Sequence, residues 1–340
     1  GSHVRLRRPQ IALHPLGPAM QQPRWLLAAV AAVALYSFLL LVFGIRGLWA
    51  DLLQLPAGLL LLALSIGLIG QLALFARWHW SLQWLKQPLA WRSSASIFAS
   101  GLALMATPGR SGEAMRALWL KQRHGMPAQV GVGITLSERL SDLSSALLVL
   151  GWGLGLASAP LLLIGGGSLL AGAALVTHPL ALRRMEEWLQ QRRWIQQQRR
   201  LHRLSQGALL SLQQVRQLMR PAPLLVATAC GCLVWLVEAN VIHGLFAAME
   251  APISLHQAAV IRTAMALGGV LSLLPAGLGT SEATAIGIAM AYGASSDQAL
   301  LATLIIRIST LMVPCGLGWL SLRWQSVHTP STFRREAADD

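Results

Sequence analysis

Charged residues are scarce in this 340-residue chain. Only 12% of the residues are Asp, Glu, Lys or Arg, about half of the roughly 25% that is typical of soluble globular proteins. Acidic residues number 13, lysine occurs only at Lys86 and Lys121, and 54% of the residues are hydrophobic. The length alone would fit two soluble domains, but this composition excludes them and indicates a chain that lies in lipid.

Cysteine and the common catalytic motifs are also nearly or wholly missing. Cys230, Cys232 and Cys315 lie in apolar stretches, where a thiol behaves as a small hydrophobe. Their spacing fits neither a disulfide framework nor a zinc site. The sequence has no HExxH, no phosphate-binding loop, no GxSxG and no CxxC. We therefore expect no catalytic residues, no metal and no cofactor, and we predict that the protein is not an enzyme.

Long hydrophobic runs are abundant, and a helix needs about 20 apolar residues to cross a bilayer. Six stretches qualify, and they predict an all-α polytopic membrane protein: 25–44, 52–76, 128–157, 159–177, 223–249 and 296–321. Two further stretches, 93–107 and 257–274, are short, and each runs into a Pro/Gly break and a second short helix, 111–123 and 280–292. Each pair is predicted to be a re-entrant or broken helical hairpin. Two short spans joined by a turn are the alternative.

These stretches divide the chain into five segments. They are a basic N-terminus (1–24, in which 1–3 resembles a cloning remnant), a first membrane half (25–177, with hairpin 93–123), a connector (178–222), a second membrane half (223–322, with hairpin 257–292) and a tail (323–340). The connector is rich in Arg and Gln and has apolar residues at helical spacing. We expect it to form one or two helices at the cytoplasmic surface.

Basic residues outnumber acidic ones by 27 to 13, which gives a net charge of +14. With the N-terminus inside, twenty-one of the 27 bases are cytoplasmic, Arg77 among them, and only Arg46 lies outside. This asymmetry follows the positive-inside rule, so both termini are predicted to be cytoplasmic and no nucleic-acid partner is needed. The connector arginines either attract anionic lipid headgroups or only set the orientation. Tryptophans near span ends are expected to anchor at the interface: Trp25, Trp78, Trp80, Trp84, Trp91 and Trp324.

Ten ionisable residues remain within the embedded stretches. They are Arg110, Glu113, Arg116, Glu138, Arg139, Asp142, Glu238, Arg262, Glu282 and Arg307. Each costs roughly 2.5–3.5 kcal/mol at a helix centre, so we expect them to neutralise one another around a polar interior, with Arg116 nearer an interface. Glu138 and Asp142 share a helix face. They repel each other unless a proton or a cation (Arg139, Arg110 or Arg307) intervenes.

The two breaks share one pattern. Residues 107–113 read TPGRSGE and residues 275–282 read PAGLGTSE, each with Pro, paired Gly, a hydroxyl residue and then Glu at a helix start. An arginine follows each Glu, 26 residues later at Arg139 and 25 residues later at Arg307. In the predicted topology the hairpins are entered from opposite sides, so the sequence predicts an inverted repeat, as in secondary transporters.

A helix N-terminus at a glycine-rich break offers free N–H groups and partial positive charge, which together bind anions. Two such ends beside arginines would suit a phosphate headgroup. The predicted substrate-binding residues are Arg110, Ser111, Glu113, Arg139, Gly277, Gly279 and Glu282, and the supporting ion network is Arg116, Glu138, Asp142, Glu238, Arg262 and Arg307. The two hairpin glutamates either cap N–H groups, pair with the arginines or hold a cationic headgroup.

These motifs resemble the lysylphosphatidylglycerol synthase transmembrane family. The resemblance rests on Pro108-Gly109-Arg110-Ser111-Gly112-Glu113 with Arg116, Glu138-Arg139 with Asp142, and Pro275-x-Gly277-Leu278-Gly279-x-x-Glu282 with Arg307, and it covers roughly residues 25–322. It implies a multi-pass protein of the bacterial inner membrane that moves a lipid between leaflets. No aminoacyl-transferase domain follows the last span, so we expect a stand-alone member, whose relatives serve hopanoid, polyprenyl-linked or other glycolipid pathways.

The leading functional prediction is a flippase whose substrate is a phospholipid or another phosphate-bearing membrane lipid. One alternative is a membrane-embedded transferase that modifies a lipid, with Glu138, Asp142 or His243 as acid or base. A second alternative is an ion-coupled carrier of a small anion. The cargo, the direction, the coupling ion and whether the protein is a homodimer stay open at this level.

Overall fold

The computed structural model describes residues 52–107, 111–155, 167, 178–192, 198–272 and 274–328. Within these ranges every regular element is helical, so the prediction of an all-α fold is confirmed for them. The predicted spans 25–44 and 159–177, the N-terminal segment 1–24 and most of the tail lie outside the described residues.

The described part of the first half contains four helices and a short 3-10 turn. They are α1 (Ala57–Trp84), α2 (Trp91–Leu102), the turn Ser111–Ala114, α3 (Met115–His124) and α4 (Ala128–Gly153). Gly125 adopts a left-handed conformation (φ 66°) directly after α3 and ends that helix. α2 and α3 form the first hairpin.

The described residues of the connector and the second half form seven helices and a π-helical turn. They are α5 (Pro179–Gln191), α6 (Arg199–Leu218), α7 (Pro221–Ala248), α8 (Leu255–Leu271), α9 (Thr280–Ala291), α10 (Ser296–Arg307), the π turn Ile308–Met312 and α11 (Val313–His328). Ser254 and Ser295 start α8 and α10 as capping boxes, and proline occupies the first position of α5 and α7.

Among the described residues, three helical stretches are long and apolar enough to cross a membrane: Ala57–Trp84, Pro221–Ala248 and Ser296–Trp324. α4 is 26 residues long but carries three charges near its middle. The first-hairpin helices have only 12 and 10 residues. At 1.5 Å per residue they rise roughly 18 and 15 Å, so neither crosses a hydrocarbon core of about 30 Å.

Two hydrophobic cores lie at opposite ends of α1, and each includes one of the hairpins. Near its start, Ala63 and Ile66 belong to a core formed with α7, α8, α9 and α10. Near its end, Phe75, Trp78 and Leu82 belong to a second core formed with α2, α3 and α4. α1 therefore contributes to the core of each hairpin.

Small residues bring the two halves together in a reciprocal way. Ser309 in the π turn donates a hydrogen bond to the Ala63 carbonyl of α1, and a Cβ at Gly67 would overlap the Ser309 backbone. In the same manner Ser145 of α4 donates to the Thr228 carbonyl of α7 at 3.0 Å, and a Cβ at Gly231 would overlap its hydroxyl. Ser145 of the first half thus packs against a glycine of α7, and Ser309 of the second half packs against a glycine of α1.

Each hairpin also packs against a long helix of the other half. Gly153 of α4 packs against α8, where an added Cβ would lie 2.8 Å from the His256 carbonyl oxygen. Gly318 of α11 packs against the end of α2, where an added Cβ would overlap the Ala103 backbone. Each long helix that follows one hairpin therefore supports the first helix of the other hairpin.

The connector is partly built into the membrane body. Its second helix, α6, packs along the first half of α4, where Gly133 faces Ser211 and Gln214. Leu209 and Leu218 are buried there. One or two connector helices were predicted; the described part of the connector has two, α5 and α6, and α6 packs against α4 rather than lying only at the surface.

Three expectations about the end of α1 are wrong. The helix continues to Trp84, eight residues beyond the predicted end of the span at 76. Arg77, expected at the cytoplasmic surface, is buried, and Trp78, expected as an interface anchor, is completely enclosed. A prediction from hydropathy ends a span at a charged residue. The helix itself continues through that residue when the charge has a partner inside the protein. Trp84, Trp91 and Trp324 are exposed, as anchors should be.

We expect Gly67→Ala to destabilise the protein, because the added methyl group meets the Ser309 backbone, which cannot rotate away. Overpacking of this kind costs about 1–3 kcal/mol. Gly58→Ala in the same helix is the matched control, since a Cβ there meets open space, and alanine favours the helix by up to about 1 kcal/mol. Thermal unfolding in detergent measures both. Equal midpoints for the two variants would contradict the close packing described.

Candidate functional site

Six charged side chains converge between α1, the first hairpin and α4. They are Arg77, Glu113, Arg116, Glu138, Arg139 and Asp142, three of each sign. α1 supplies the first, the 3-10 turn and α3 supply the next two, and α4 supplies the last three at helical spacing. We refer to these six residues as the six-charge network.

Arg116 occupies the buried centre of the network. Its Nη2 donates to Glu113 Oε2 at 2.9 Å and to Glu138 Oε2 at 3.1 Å, and its Nε donates to the Glu113 carbonyl at 3.2 Å. The guanidinium carbon lies 4.6 Å from the centre of the Trp78 ring and 5.2 Å from that of Phe98. The expectation that Arg116 lies nearer an interface is wrong, because two carboxylates and two aromatic faces together replace its hydration.

Arg139 forms the accessible edge of the network. It donates to Glu113 Oε2 and lies 3.5 Å from Asp142 Oδ2. Its side chain is 34% exposed and that of Asp142 is 22% exposed, against about 5% for Glu113. Arg77 approaches Asp142 from the other side at 2.7 Å. An incoming ligand therefore meets Arg139 and Asp142 before the rest of the network.

A cavity of about 20 Å³ adjoins all six charges and reaches the apolar side chains of Leu74, Phe98 and Leu102. This volume holds about one water molecule. The six-charge network is therefore closely packed around a small cavity in this structure.

The second hairpin carries a smaller, buried cluster. Arg307 Nε donates to Glu282 Oε1 at 2.7 Å, and Arg307 Nη2 donates to the Ala276 carbonyl at 2.8 Å. Glu282 Oε2 accepts the Gly279 N–H at 2.8 Å, so the glutamate's own carboxylate caps the start of α9. Gly277 and Gly279 have φ values of 63° and 84°, a region in which glycine is favoured, and this turns the chain into α9.

A third cluster joins α7 to α8. Arg262 Nε donates to Glu238 Oε2 at 2.7 Å, and its guanidinium carbon lies 4.5 Å from the centre of the Trp235 ring. Arg262 and Glu238 therefore form an ion pair with an aromatic wall, as Arg116 does in the first half.

The pairing of each hairpin glutamate with the arginine of the following long helix occurs in both halves. Glu113 pairs with Arg139, and Glu282 pairs with Arg307. The repulsion between Glu138 and Asp142 is relieved because Arg116 pairs with Glu138 and Arg77 pairs with Asp142. Arg307, one of the cations that the sequence suggested for this role, pairs in its own half.

Two of the predicted site residues lie wholly or partly outside the described structure, and Arg77 belongs to the network although it was not among the predicted site residues. Arg110 lies outside the described residues, and the described part of Ser111 is its backbone in the 3-10 turn. Arg77 was assigned to the cytoplasmic bases. The available signal was the aromatic and apolar pattern that continues beyond Arg77 to Trp84, since a charge inside such a helix needs a partner.

Comparison with known proteins identifies the family. The family model described as "Lysylphosphatidylglycerol synthase TM region" matches residues 25–318. The chain belongs to the lysylphosphatidylglycerol synthase transmembrane family. No curated protein matches the chain significantly.

Family membership together with the long apolar helices makes the protein a multi-pass membrane protein with a lipid-related function. The matched region contains all three charge clusters. The described hairpins and ion pairs are therefore features of the family's membrane domain in this chain.

We expect Arg307→Met to destabilise the protein by about 3–5 kcal/mol, because it leaves the buried Glu282 carboxylate without its counter-charge. The double variant Glu282→Gln/Arg307→Met removes both charges and keeps the amide oxygen as a cap, so most of the stability should return. Denaturant unfolding in detergent compares the two. A double variant as unstable as the single one would contradict a charge-pairing role.

Proposed function

We propose that this protein is a lipid flippase that moves a phosphate-bearing lipid between the leaflets of the bacterial inner membrane. The observation that carries the proposal is the partly exposed side chain of Arg139, which lines a cavity at the edge of a mostly buried ion network. Embedded charges of this kind mark substrate or ion pathways, and a guanidinium binds phosphate oxygens with two parallel hydrogen bonds.

The charge of the embedded region favours an anionic cargo. With Arg77 included, the embedded stretches carry six arginines and five acids. In the described residues each acid has an arginine partner. The formal sum of +1 matches a headgroup that carries one negative charge, such as a phosphodiester.

The packing of the two halves favours an inverted repeat with two re-entrant hairpins. The serine–glycine contacts, the packing of each hairpin against a long helix of the other half and the two Glu–Arg pairs all occur once in each half. The cores that include the two hairpins lie at opposite ends of α1, as expected if the hairpins enter from opposite sides. Alternating access would then come from rocking of one half against the other.

We further propose that the connector and both termini lie on the cytoplasmic side. Arg77 is now counted with the embedded charges, and the cytoplasmic bases still exceed the single external Arg46 about twentyfold. Arg183, Arg184, Arg200 and Arg203 are exposed on the connector helices, where anionic headgroups would be attracted to them.

Transport is favoured over lipid modification by the setting of His243. Its Nδ1 lies 2.9 Å from the Ile253 carbonyl oxygen, a link between α7 and the loop before α8. A histidine used in this way serves helix packing rather than proton transfer. A carrier of small anions shares the Arg139 site and is separated from a flippase by the experiment below.

We expect Arg139→Gln to slow lipid transfer about 10- to 100-fold, the effect of losing a hydrogen bond to a charged group. The protein would be reconstituted into vesicles that contain fluorescent phosphatidylglycerol. Transfer is read from the fraction of label that dithionite quenches from outside. Arg216→Gln is the matched control, because Arg216 is exposed on α6, and it should transfer lipid like the wild type.

Two outcomes would count against the proposal. Transfer by the wild type no faster than in empty vesicles would refute the flippase, and equal rates for Arg139→Gln and Arg216→Gln would refute the assigned site. Release of labelled inorganic phosphate without lipid transfer would instead support the small-anion carrier. A new lipid species detected by mass spectrometry would support the transferase.

A further inference from the structure

A single uncharged amide side chain lies at the middle of α1. Gln71 is near the midpoint of Ala57–Trp84, and no other polar side chain occurs between Ser65 and Arg77. An amide in apolar surroundings costs free energy unless it is hydrogen-bonded. Glutamines in membrane helices can meet this cost by bonding to a neighbouring helix. The partner of Gln71 therefore indicates its role.

The side-chain oxygen of Gln71 has no partner within the described protein. Oε1 is buried, and no donor among the described residues forms a hydrogen bond with it. Helix packing does not account for this acceptor, in contrast to His243, whose Nδ1 lies 2.9 Å from the Ile253 carbonyl oxygen. A buried acceptor without a partner retains its full desolvation cost. A ligand group that donates to it would therefore bind favourably.

Gln71 lines the same cavity as Arg139. The cavity has a volume of about 20 Å³, which is room for about one water molecule or one hydroxyl group. Of the polar side chains that the structure describes around this cavity, six are charged and Gln71 alone is neutral. The amide thus offers an acceptor that does not depend on the ion pairs of the six-charge network.

The cavity also offers hydrogen-bond donors. Three arginines of the six-charge network line it, and the Nε–H of Arg77 is buried with no acceptor among the described residues. A hydroxyl group both accepts and donates a hydrogen bond, so it would accept from an arginine and donate to Gln71 at once. An ammonium group only donates, and a methyl group does neither.

This inference rests on the proposed function, in which Arg139 binds the phosphodiester of the cargo. Gln71 and Arg139 line one small cavity, so a ligand group that reaches Gln71 lies close to the phosphate. The alcohol part of the headgroup meets that condition. A hydroxyl there leaves the headgroup with one negative charge, which matches the embedded sum of +1, whereas an ammonium group would cancel that charge.

We propose that Gln71 is a specificity-determining residue of the lipid site, whose Oε1 accepts a hydrogen bond from a hydroxyl on the headgroup alcohol. The substrate class is then a lipid whose phosphodiester carries a polyol. Arg139 selects the phosphate, and Gln71 selects the hydroxyl. No covalent bond is formed or broken at either residue.

The direct test compares two lipids that differ only in their hydroxyls. Dioctanoyl phosphatidylglycerol and dioctanoyl phosphatidylpropanol have the same charge and the same three headgroup carbon atoms, but the second has no hydroxyl on the headgroup. The Kd of each for the purified protein in detergent is measured by isothermal titration calorimetry. We expect the wild type to bind phosphatidylglycerol about tenfold more tightly, because phosphatidylpropanol leaves the buried Gln71 acceptor unpaired.

Gln71→Met keeps the length of the side chain and removes the acceptor. In this variant the two lipids should bind equally, through weaker binding of phosphatidylglycerol. Gln83→Met is the matched control, since it is the same substitution at an exposed position of the same helix, and it should retain the tenfold preference. Comparing the ratio of the two Kd values between proteins cancels any difference in how the two lipids partition into detergent.

A second measurement needs only the wild-type protein, should Gln71→Met fail to fold. Fluorescent forms of the two lipids are reconstituted into separate vesicles, and transfer is read by dithionite quenching. We expect phosphatidylglycerol to be transferred faster than phosphatidylpropanol at limiting lipid concentration, and equal rates would contradict the preference for a hydroxyl.

The outcomes separate the two proposals. Transfer of both lipids with equal Kd values in the wild type would overturn the hydroxyl preference and leave the flippase intact. A tenfold preference that persists in Gln71→Met would overturn the assignment to Gln71. If the wild type neither binds nor transfers either lipid, the proposed function fails and the specificity role of Gln71 fails with it.

Discussion

The constraint on which this structure depends is the neutralisation of charge inside a low-dielectric body. An isolated charge at a helix centre costs several kcal/mol. In the described residues every embedded carboxylate therefore meets an arginine, and three of these pairs link different long elements: Arg77 with Asp142, Arg262 with Glu238 and Arg307 with Glu282. If the two partners of such a pair move apart, a buried charge is left uncompensated, and this is strongly unfavourable. They consequently fix how the hairpins lie against the long helices.

Small residues make that geometry attainable. Gly101 leaves room for the aliphatic part of Arg116, since an added Cβ would lie 2.9 Å from its side-chain carbons. The serine–glycine contacts of Ser309 and Ser145 bring α1 and α7 close to the helices that carry Arg307 and Asp142. In lipid, close packing and interhelical hydrogen bonds replace the hydrophobic effect as the force between helices. The contacts that hold the two halves together thus also keep the charged side chains within ion-pairing distance.

The proposed function rests on how unevenly this network is enclosed. Arg116 and Glu138 are buried, whereas the side chain of Arg139 is 34% exposed beside a cavity with room for about one water. In the proposed flippase, a headgroup that binds at Arg139 would compete with Glu113 for the same guanidinium. Cargo binding and rearrangement of the ion pairs would then be one event, which is the coupling that an alternating-access transporter needs.

The sequence by itself determined the helical class, the hairpin positions and the spacing of each Glu–Arg pair, because hydropathy, Pro/Gly breaks and helical periodicity are local properties. The pairs Glu113–Arg139 and Glu282–Arg307 were readable from the repeated motif. Tertiary structure alone decided that Arg77 and Trp78 belong to the interior and that Arg116 rather than Arg139 neutralises Glu138. The physical reason is that the partner of a buried charge comes from a distant part of the chain. Its identity depends on which helices touch, and no local pattern records that.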